Sequence, residues 1–181
     1  MTATDSLRRT TMPTPVGELT LVASGRGLRA VLWPGEHDLL DTPSRRVRLG
    51  DGTGDEGDAD AILHRAVAQL EEYFAGERTE FDLPLDPVGT DFQQQAWAVL
   101  RTIPYGRTIS YGEQASRLGD RNKSRAVGAA NGKNPISIIV PCHRVVGSDG
   151  TLTGFAAGID AKAWLLQHEQ GVAGQGTLPL G

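Results

Sequence analysis

Residues 110–145 read SYGEQASRLGDRNKSRAVGAANGKNPISIIVPCHRV, and this stretch sets the organisation of the chain. Ser110 and Glu113 make the Ser-x-x-Glu pattern of a capping box, which satisfies free N–H groups at a helix start. The helix they open is predicted to end at Gly119, where a residue without Cβ suits a helix end. A second short helix is predicted from about Ser124 to Asn131, stopped by Gly132. Two short helices about a tight polar turn have the shape of a helix-turn-helix. Many helical domains share that shape, so it is not specific alone. Ile136-Ser137-Ile138-Ile139-Val140 is a β-branched run that predicts a buried strand. Pro141 follows and predicts the first position of a helical turn.

Upstream, Asp91 is the predicted N-cap of a helix carrying Phe92, Gln95, Ala96, Val99 and Leu100 that stops before Pro104. Pro84–Thr90, with two prolines and a glycine, is the predicted domain boundary. Before it, Glu18–Ser24 and Leu28–Trp33 are β-prone runs about Gly25-Arg26-Gly27 and predict a hairpin. Arg8–Met12 adds a strand. Residues 41–60, rich in Asp, Gly, Thr and Ser, predict a mobile loop. From Ala61 the period changes, and Ile62, Leu63, Ala66, Val67, Leu70, Tyr73 and Phe74 fall on one helical face. Arg78–Leu83 predicts a short strand. The fold class is α/β in the α+β sense: a small N-terminal β-sheet domain with a helix (1–83), a linker (84–90), a mostly helical C-terminal domain with a helix-turn-helix and the cysteine (91–171), and a flexible tail (172–181).

Hydrophobic residues make up 39% of the 181 and charged residues 22%, which predicts a packed globular core rather than disorder. No apolar run approaches the length of a membrane span, and no apolar stretch follows Arg8-Arg9 as a leader would require. One cysteine makes no internal disulfide, which fits a reducing cytoplasm. His37, His64 and His168 share no ligand spacing with Cys142, so no catalytic metal and no cofactor are predicted. Charge is uneven. Residues 1–90 hold nine arginines and no lysine against sixteen carboxylates, a balance of −7. Within 101–133, seven basic residues face only Glu113 and Asp120, a balance of +5. A basic stretch in an acidic protein fits contact with a polyanion, and it equally fits a solvated helical surface.

The chemistry centres on Cys142. A thiolate is the nucleophilic form of cysteine, and backbone N–H groups at a turn start, with His143 and Arg144, favour it. A lone cysteine is otherwise a small buried hydrophobe. His143 is adjacent in sequence, so a bridging water is the easier route between the two side chains. A general base needs an orienting group, and Glu169, in a helix predicted over Asp160–Gln170, is the candidate. From spacing alone Glu169 also reads as an exposed helix-end carboxylate.

Asn134-Pro135-Ile136-Ser137-Ile138-Ile139-Val140-Pro141-Cys142-His143-Arg144-Val145 closely resembles the active-site motif of the O6-alkylguanine-DNA alkyltransferases, also called methylated-DNA–protein-cysteine methyltransferases. Thr90–Trp97, Ile103-Pro104-Tyr105-Gly106, Ser110–Glu113, Ser124–Gly128 and Lys162–Glu169 follow in that family's order. The resemblance covers about residues 84–171 strongly and the N-terminal part in outline. It implies transfer of an alkyl group from O6 of guanine in double-stranded DNA to Cys142, without turnover. His143 is then the base, through a water, and Glu169 holds it. Tyr111 matches the tyrosine assigned to the guanine leaving group, and Asn134 the asparagine supporting the active-site turn. The Val140 carbonyl matches an acceptor for the guanine amino group, with the Cys142 N–H facing O6.

The resemblance also implies base flipping, with the second helix of the helix-turn-helix in the minor groove. Arg125 matches the arginine that fills the gap left by the base. Ala126, Gly128 and Ala129 let the helix approach closely. Lys123, Arg121 and Lys133 read as phosphate contacts, and Arg144 joins the DNA-binding set. Phe155-Ala156-Ala157 departs from the family's tyrosine and small pair. Phe155 walls the base without a hydroxyl, Ala156 and Ala157 offer backbone N–H groups, and their methyls narrow the pocket against bulky alkyl groups. O4-alkylthymine is a second substrate candidate. Three rivals remain: a damage-binding module without transfer, a cysteine hydrolase using Cys142, His143 and Glu169, and a redox sensor. The reading adopted is a monomeric, cytoplasmic, single-use DNA-repair methyltransferase.

Overall fold

A computed structural model describes residues 7–34, 56–152, 155 and 158–177. Most of the segment read as a mobile loop, residues 41–55, lies outside the described residues, as do Ala156 and Ala157. The chain forms two compact units, residues 1–89 with 135–137 and residues 90–134 with 138–181.

In the first unit, β1 (Arg8–Met12), β2 (Leu19–Ala23) and β3 (Leu28–Leu32) form an antiparallel sheet in that order. The hairpin read from Gly25-Arg26-Gly27 is present. The Ser24 N–H donates to the Gly27 carbonyl at 2.9 Å. Every residue of β2 and β3 is buried, which explains their continuous apolar runs. Helix α1 (Glu56–Phe74) packs on the sheet, burying Ile62, Leu63, Ala66, Leu70 and Tyr73. It starts five residues before Ala61, inside the segment read as loop.

Arg78–Leu83 is not a strand. Gln69 of α1 holds the backbone of Asp82 through both amide atoms, its Nε2 donating to the Asp82 carbonyl and its Oε1 accepting the Asp82 N–H, each at 2.9 Å. A side chain thus replaces the ladder partner. The strand edge at β3 takes other company. Residues 84–86, read as linker, run beside its start, with the Leu28 N–H donating to the Pro84 carbonyl and the Asp86 N–H to the Leu28 carbonyl, both at 2.9 Å. Gly27 is required there, since a Cβ would stand 2.7 Å from the Pro84 oxygen. At the other end of β3, Ile136 bridges Val31, and Trp33 Nε1 donates to Ser137 Oγ at 3.1 Å. The Ile136 bridge is an isolated one and turns follow it, so Ile136–Val140 is not a strand.

In the second unit, α2 (Asp91–Leu100) is capped by Thr90, one residue earlier than read. Thr90 Oγ1 accepts the Gln93 N–H and Gln93 Oε1 accepts the Thr90 N–H. This reciprocal pair is a full capping box. After β4 (Ile109–Ser110), Ser110 Oγ caps α3 (Tyr111–Arg117) by accepting the Glu113 N–H at 3.0 Å. The Glu113 carboxylate pairs instead with Arg117 at 3.3 Å. A 3-10 turn (Arg121–Lys123) leads into α4 (Ser124–Gly132). Trp97 Nε1 donates to the Ala130 carbonyl at 2.8 Å, tying α2 to α4. Gln114 and Asn131 exchange two amide hydrogen bonds, 2.9 and 2.8 Å, joining α3 to α4. A second 3-10 turn (Cys142–Arg144) and β5 (Val145–Val146), parallel to β4, precede α5 (Ile159–Thr177). That helix runs seven residues past Gln170, through most of the segment read as tail. Ala173 on it packs against Gly106, where a Cβ would come within 2.8 Å of the Ala173 Cβ. Among the described residues no helix is long and apolar enough to cross a membrane.

Candidate active site

Cys142 opens the second 3-10 turn and is 8% exposed. Pro141, at φ −83 and ψ 68, makes an inverse γ-turn in which the Cys142 N–H donates to the Val140 carbonyl at 2.9 Å. The fully buried Asn134 donates from Nδ2 to the same carbonyl at 2.8 Å. Asn134 follows directly on α4, so one side chain fastens the end of that helix to the turn bearing the cysteine. This arrangement differs from two expectations. The Cys142 N–H is engaged rather than open, and both lone pairs of the Val140 oxygen are occupied. Ile138, buried four residues before the cysteine, sits at φ +74, a left-handed conformation that β-branched residues avoid.

His143 and Glu169 come together as the sequence reading required. His143 is fully buried, and its Nε2 lies 2.6 Å from Glu169 Oε2. Glu169 is 1% exposed, which removes its reading as a surface carboxylate. Burial pushes its carboxyl up, but the charge and hydrogen bonds of His143 and Arg144 outweigh burial and hold it well below the usual carboxylate range. His143 Nδ1 is buried and has no hydrogen-bond partner among the described residues.

Arg144 is displaced from its expected role. It is 7% exposed, and its Nε and Nη2 donate to Glu169 Oε1 and Oε2 at 2.8 and 3.1 Å, while Nη1 donates to the Ile103 carbonyl at 2.7 Å. A guanidinium committed in this way is not presented to a DNA phosphate. Its charge lies 5.6 Å from the centroid of the Tyr105 ring. Burial, followed by the charge of Glu169, raises the Tyr105 hydroxyl to about 12 despite Arg144.

The structure adds Lys162, the first residue of the Lys162–Glu169 run. It is 1% exposed and its Nζ stands 5.8 Å from the centroid of the Tyr111 ring. Burial lowers its ammonium from the usual value, and the charge of Cys142 acts in the opposite direction. Lys162 is thus a buried amine whose charged form burial disfavours and the charge of Cys142 favours. The signal was in its spacing: seven residues before Glu169 on one helix, it shares that residue's buried face.

The helix-turn-helix segment exposes most of the residues read as facing DNA. Arg121, Lys123, Arg125, Ala126 and Ala129 are exposed, while Val127, Ala130 and Asn131 of α4 are buried. Lys133 is half-buried. Gly128 lies against the Tyr111 ring. Phe155 is half-buried.

A sheet-and-helix unit, and a second unit holding a helix-turn-helix, a buried cysteine and an imidazole held by a carboxylate, define a class of protein with a candidate cysteine nucleophile. Comparison with known proteins narrows the class. Residues 7–87 match the ribonuclease-like domain of 6-O-methylguanine DNA methyltransferase, and residues 91–171 match its DNA binding domain. The chain belongs to the 6-O-methylguanine DNA methyltransferase family. The methylated-DNA–protein-cysteine methyltransferase of Mycobacterium tuberculosis is 49% identical over 160 residues, covering 88% of this chain and 90% of that protein. The Methanosarcina acetivorans protein of the same name is 43% identical over 155 residues, covering 86% and 93%. The crystal structure of Mycobacterium tuberculosis OGT in complex with DNA superposes with a TM-score of 0.72 at 47% identity, covering 90% of this chain and 92% of that one.

Proposed function

We propose that the chain performs direct-reversal DNA repair as a methylated-DNA–protein-cysteine methyltransferase. The observation that carries this reading is the buried Cys142, His143 and Glu169 set in the unit whose α4 exposes Arg125 among small residues, with Arg121 and Lys123 exposed just before it. Guanine alkylated at O6 lies inside the duplex, so it must be flipped out to meet a buried thiol. Arg125 takes the place of the departed base, Ala126 and Ala129 permit close approach of α4 to the minor groove, and Arg121, Lys123 and Lys133 hold phosphates.

His143 takes the Cys142 proton through a water, and the thiolate attacks the alkyl carbon. The S–C bond forms as the C–O6 bond breaks, and the bonding pair leaves with guanine. Tyr111 donates a proton to the leaving base at N3 and regains one as His143, through solvent, gives up the proton taken from Cys142, so neutral guanine, a Cys142 thioether and unchanged Tyr111 and His143 remain. Lys162 stabilises the thiolate before attack. The Val140 carbonyl accepts the guanine amino group by giving up one of its two present donors. Phe155 supplies an apolar wall to the base. A thioether has no easy route back to a thiolate, so each molecule acts once, as a monomer. The acceptor must stay a thiol, which suits a reducing cytoplasm.

Intact and peptide mass spectrometry with excess duplex holding one O6-methylguanine tests this. The expected result is one methyl per protein, on the Cys142 peptide, and none on Cys142→Ser. Multiple products per protein indicate a hydrolase, and bound but unchanged DNA indicates a damage-binding module. Either result overturns the proposal.

A further inference from the structure

The basic residue beside His143 does its work inside the protein. Three nitrogens of Arg144 have carboxylate or carbonyl acceptors between 2.7 and 3.1 Å, two on Glu169 and one on Ile103. Its guanidinium is backed by the Tyr105 ring. Glu169 Oε2 is shared, receiving Arg144 Nη2 at 3.1 Å and facing His143 Nε2 at 2.6 Å. An ionised carboxylate only accepts hydrogen bonds, so in the neutral imidazole the hydrogen must sit on Nε2. Nδ1 is then the bare lone pair, and it is the buried ring atom that meets no partner among the described residues.

We propose that Arg144 is a positioning residue: by clamping the Glu169 carboxylate in one orientation it fixes His143 as the Nε2–H tautomer and reserves Nδ1 to receive the Cys142 proton. This rests on the reading of Cys142 as acceptor and His143 as its base. Charge balance favours the clamp. Arg144 and Glu169 cancel, so the trio is neutral while His143 is neutral. When the proton arrives, the single positive charge gained is matched by the thiolate formed. Two other groups face this trio, the neutral Tyr105 hydroxyl and, through Cys142, the Lys162 ammonium. Neither offers Glu169 a planar fork. Lysine at position 144 keeps the charge but supplies one compact ammonium in place of donors at fixed angles.

Nitrogen-15 NMR of histidine-labelled protein reads the tautomer directly. In the wild-type protein at neutral pH, His143 is expected with a protonated Nε2 and a bare Nδ1. In Arg144→Lys the two tautomers are expected to mix. Single-turnover transfer from an O6-methylguanine duplex is expected to slow about 10- to 100-fold, the usual range for loss of an outer-shell orienting group. Affinity for the duplex is expected to be unchanged. A wild-type Nδ1–H signal overturns the proposal, as does Arg144→Lys with a single Nε2–H tautomer and full rate. Weakened duplex binding with unchanged transfer from the bound state overturns it too, by returning Arg144 to the DNA surface. Arg144→Gln serves if the lysine variant does not fold, and the wild-type spectrum needs neither. Failure of the underlying reading is separate: His143→Asn transferring at full rate removes the imidazole from the reaction, whichever tautomer it holds.

Discussion

Replacing Glu169 by glutamine changes one oxygen to an NH2 group and almost nothing in volume. In the native site the carboxylate receives Arg144 at 2.8 and 3.1 Å and faces His143 at 2.6 Å. An amide has one oxygen, so at least one buried N–H must point at another N–H. The Arg144 guanidinium also loses the charge that balances it while only 7% exposed. Breaking a buried ion pair from one side costs about 3–5 kcal/mol. For a chain of this size each kcal/mol moves the melting temperature by about 2–4 °C, so Tm should fall by about 6–20 °C.

The loss must also depend on pH. The Glu169 carboxyl is held well below its unfolded value of 4.5. Above that value the native state keeps the full benefit of the charge. As pH falls below it, the unfolded chain takes up a proton that the native site refuses, and the benefit drains away. The gap between wild type and Glu169→Gln should therefore be widest near neutrality and shrink steadily below about pH 4.5. Thermal melts and urea titrations across pH 3–7 measure it. Trp97 and Trp164 report on the second unit and Trp33 on the first, so single-tryptophan variants show where the loss falls. A deficit under about 1 kcal/mol at pH 7, or one equal at pH 3.5 and pH 7, would show that the ion pair does not carry this stability.

Three further outcomes follow from the geometry. At Ile138, φ +74 should reverse the usual ranking of small residues: Ile138→Gly should be more stable than Ile138→Ala by about 1 kcal/mol, as measured by urea unfolding, because glycine alone escapes the left-handed penalty. Gln114→Ala leaves the Asn131 amide buried without its two partners and should cost about 1–3 kcal/mol, whereas Gln114→Leu with Asn131→Leu should recover part of that loss in a double-mutant cycle. Tyr105 should ionise near pH 12 in the folded protein, seen as a late phenolate absorbance step, and because the unfolded phenol ionises near 10 the same group should weaken the fold as pH rises through that interval.

Local patterns were legible where the signal is local. The β2–β3 hairpin and the apolar face of α1 follow from alternation and helical spacing. The Ser110 cap is written in four consecutive residues. Thr90 and Asp91 are both good capping residues with a glutamine three residues on, so the local sequence leaves the helix start ambiguous by one position. Arg78–Leu83 has strand composition, but whether a ladder or Gln69 satisfies Asp82 depends on packing thirteen residues away in sequence. Arg144 misled for a related reason. A basic residue in a basic neighbourhood reads as surface, and the carboxylate that buries it lies twenty-five residues further along. The pairing of His143 with Glu169 follows from the need of a general base for an orienting group and from the family resemblance, since no spacing rule joins a turn to a distant helix. Lys162 was hidden by the same limitation, for a lysine looks solvated until its helix face is known to be covered.

Pro135–Ser137 are made long after the rest of the unit they complete. Residues 90–134 must be synthesised first, a delay of roughly 2–9 s at ordinary elongation rates of about 5–20 residues per second. Until then the far end of β3 lacks Ile136, and Trp33 lacks Ser137. The nascent first unit therefore waits on the ribosome with an open, apolar sheet edge, the kind of surface on which chains join one another. A fragment cut at Gly89 would keep that edge permanently. The apparent boundary between the units is thus a poor place to divide the gene, and a fragment carrying the first ninety residues would be expected to associate where the whole chain does not.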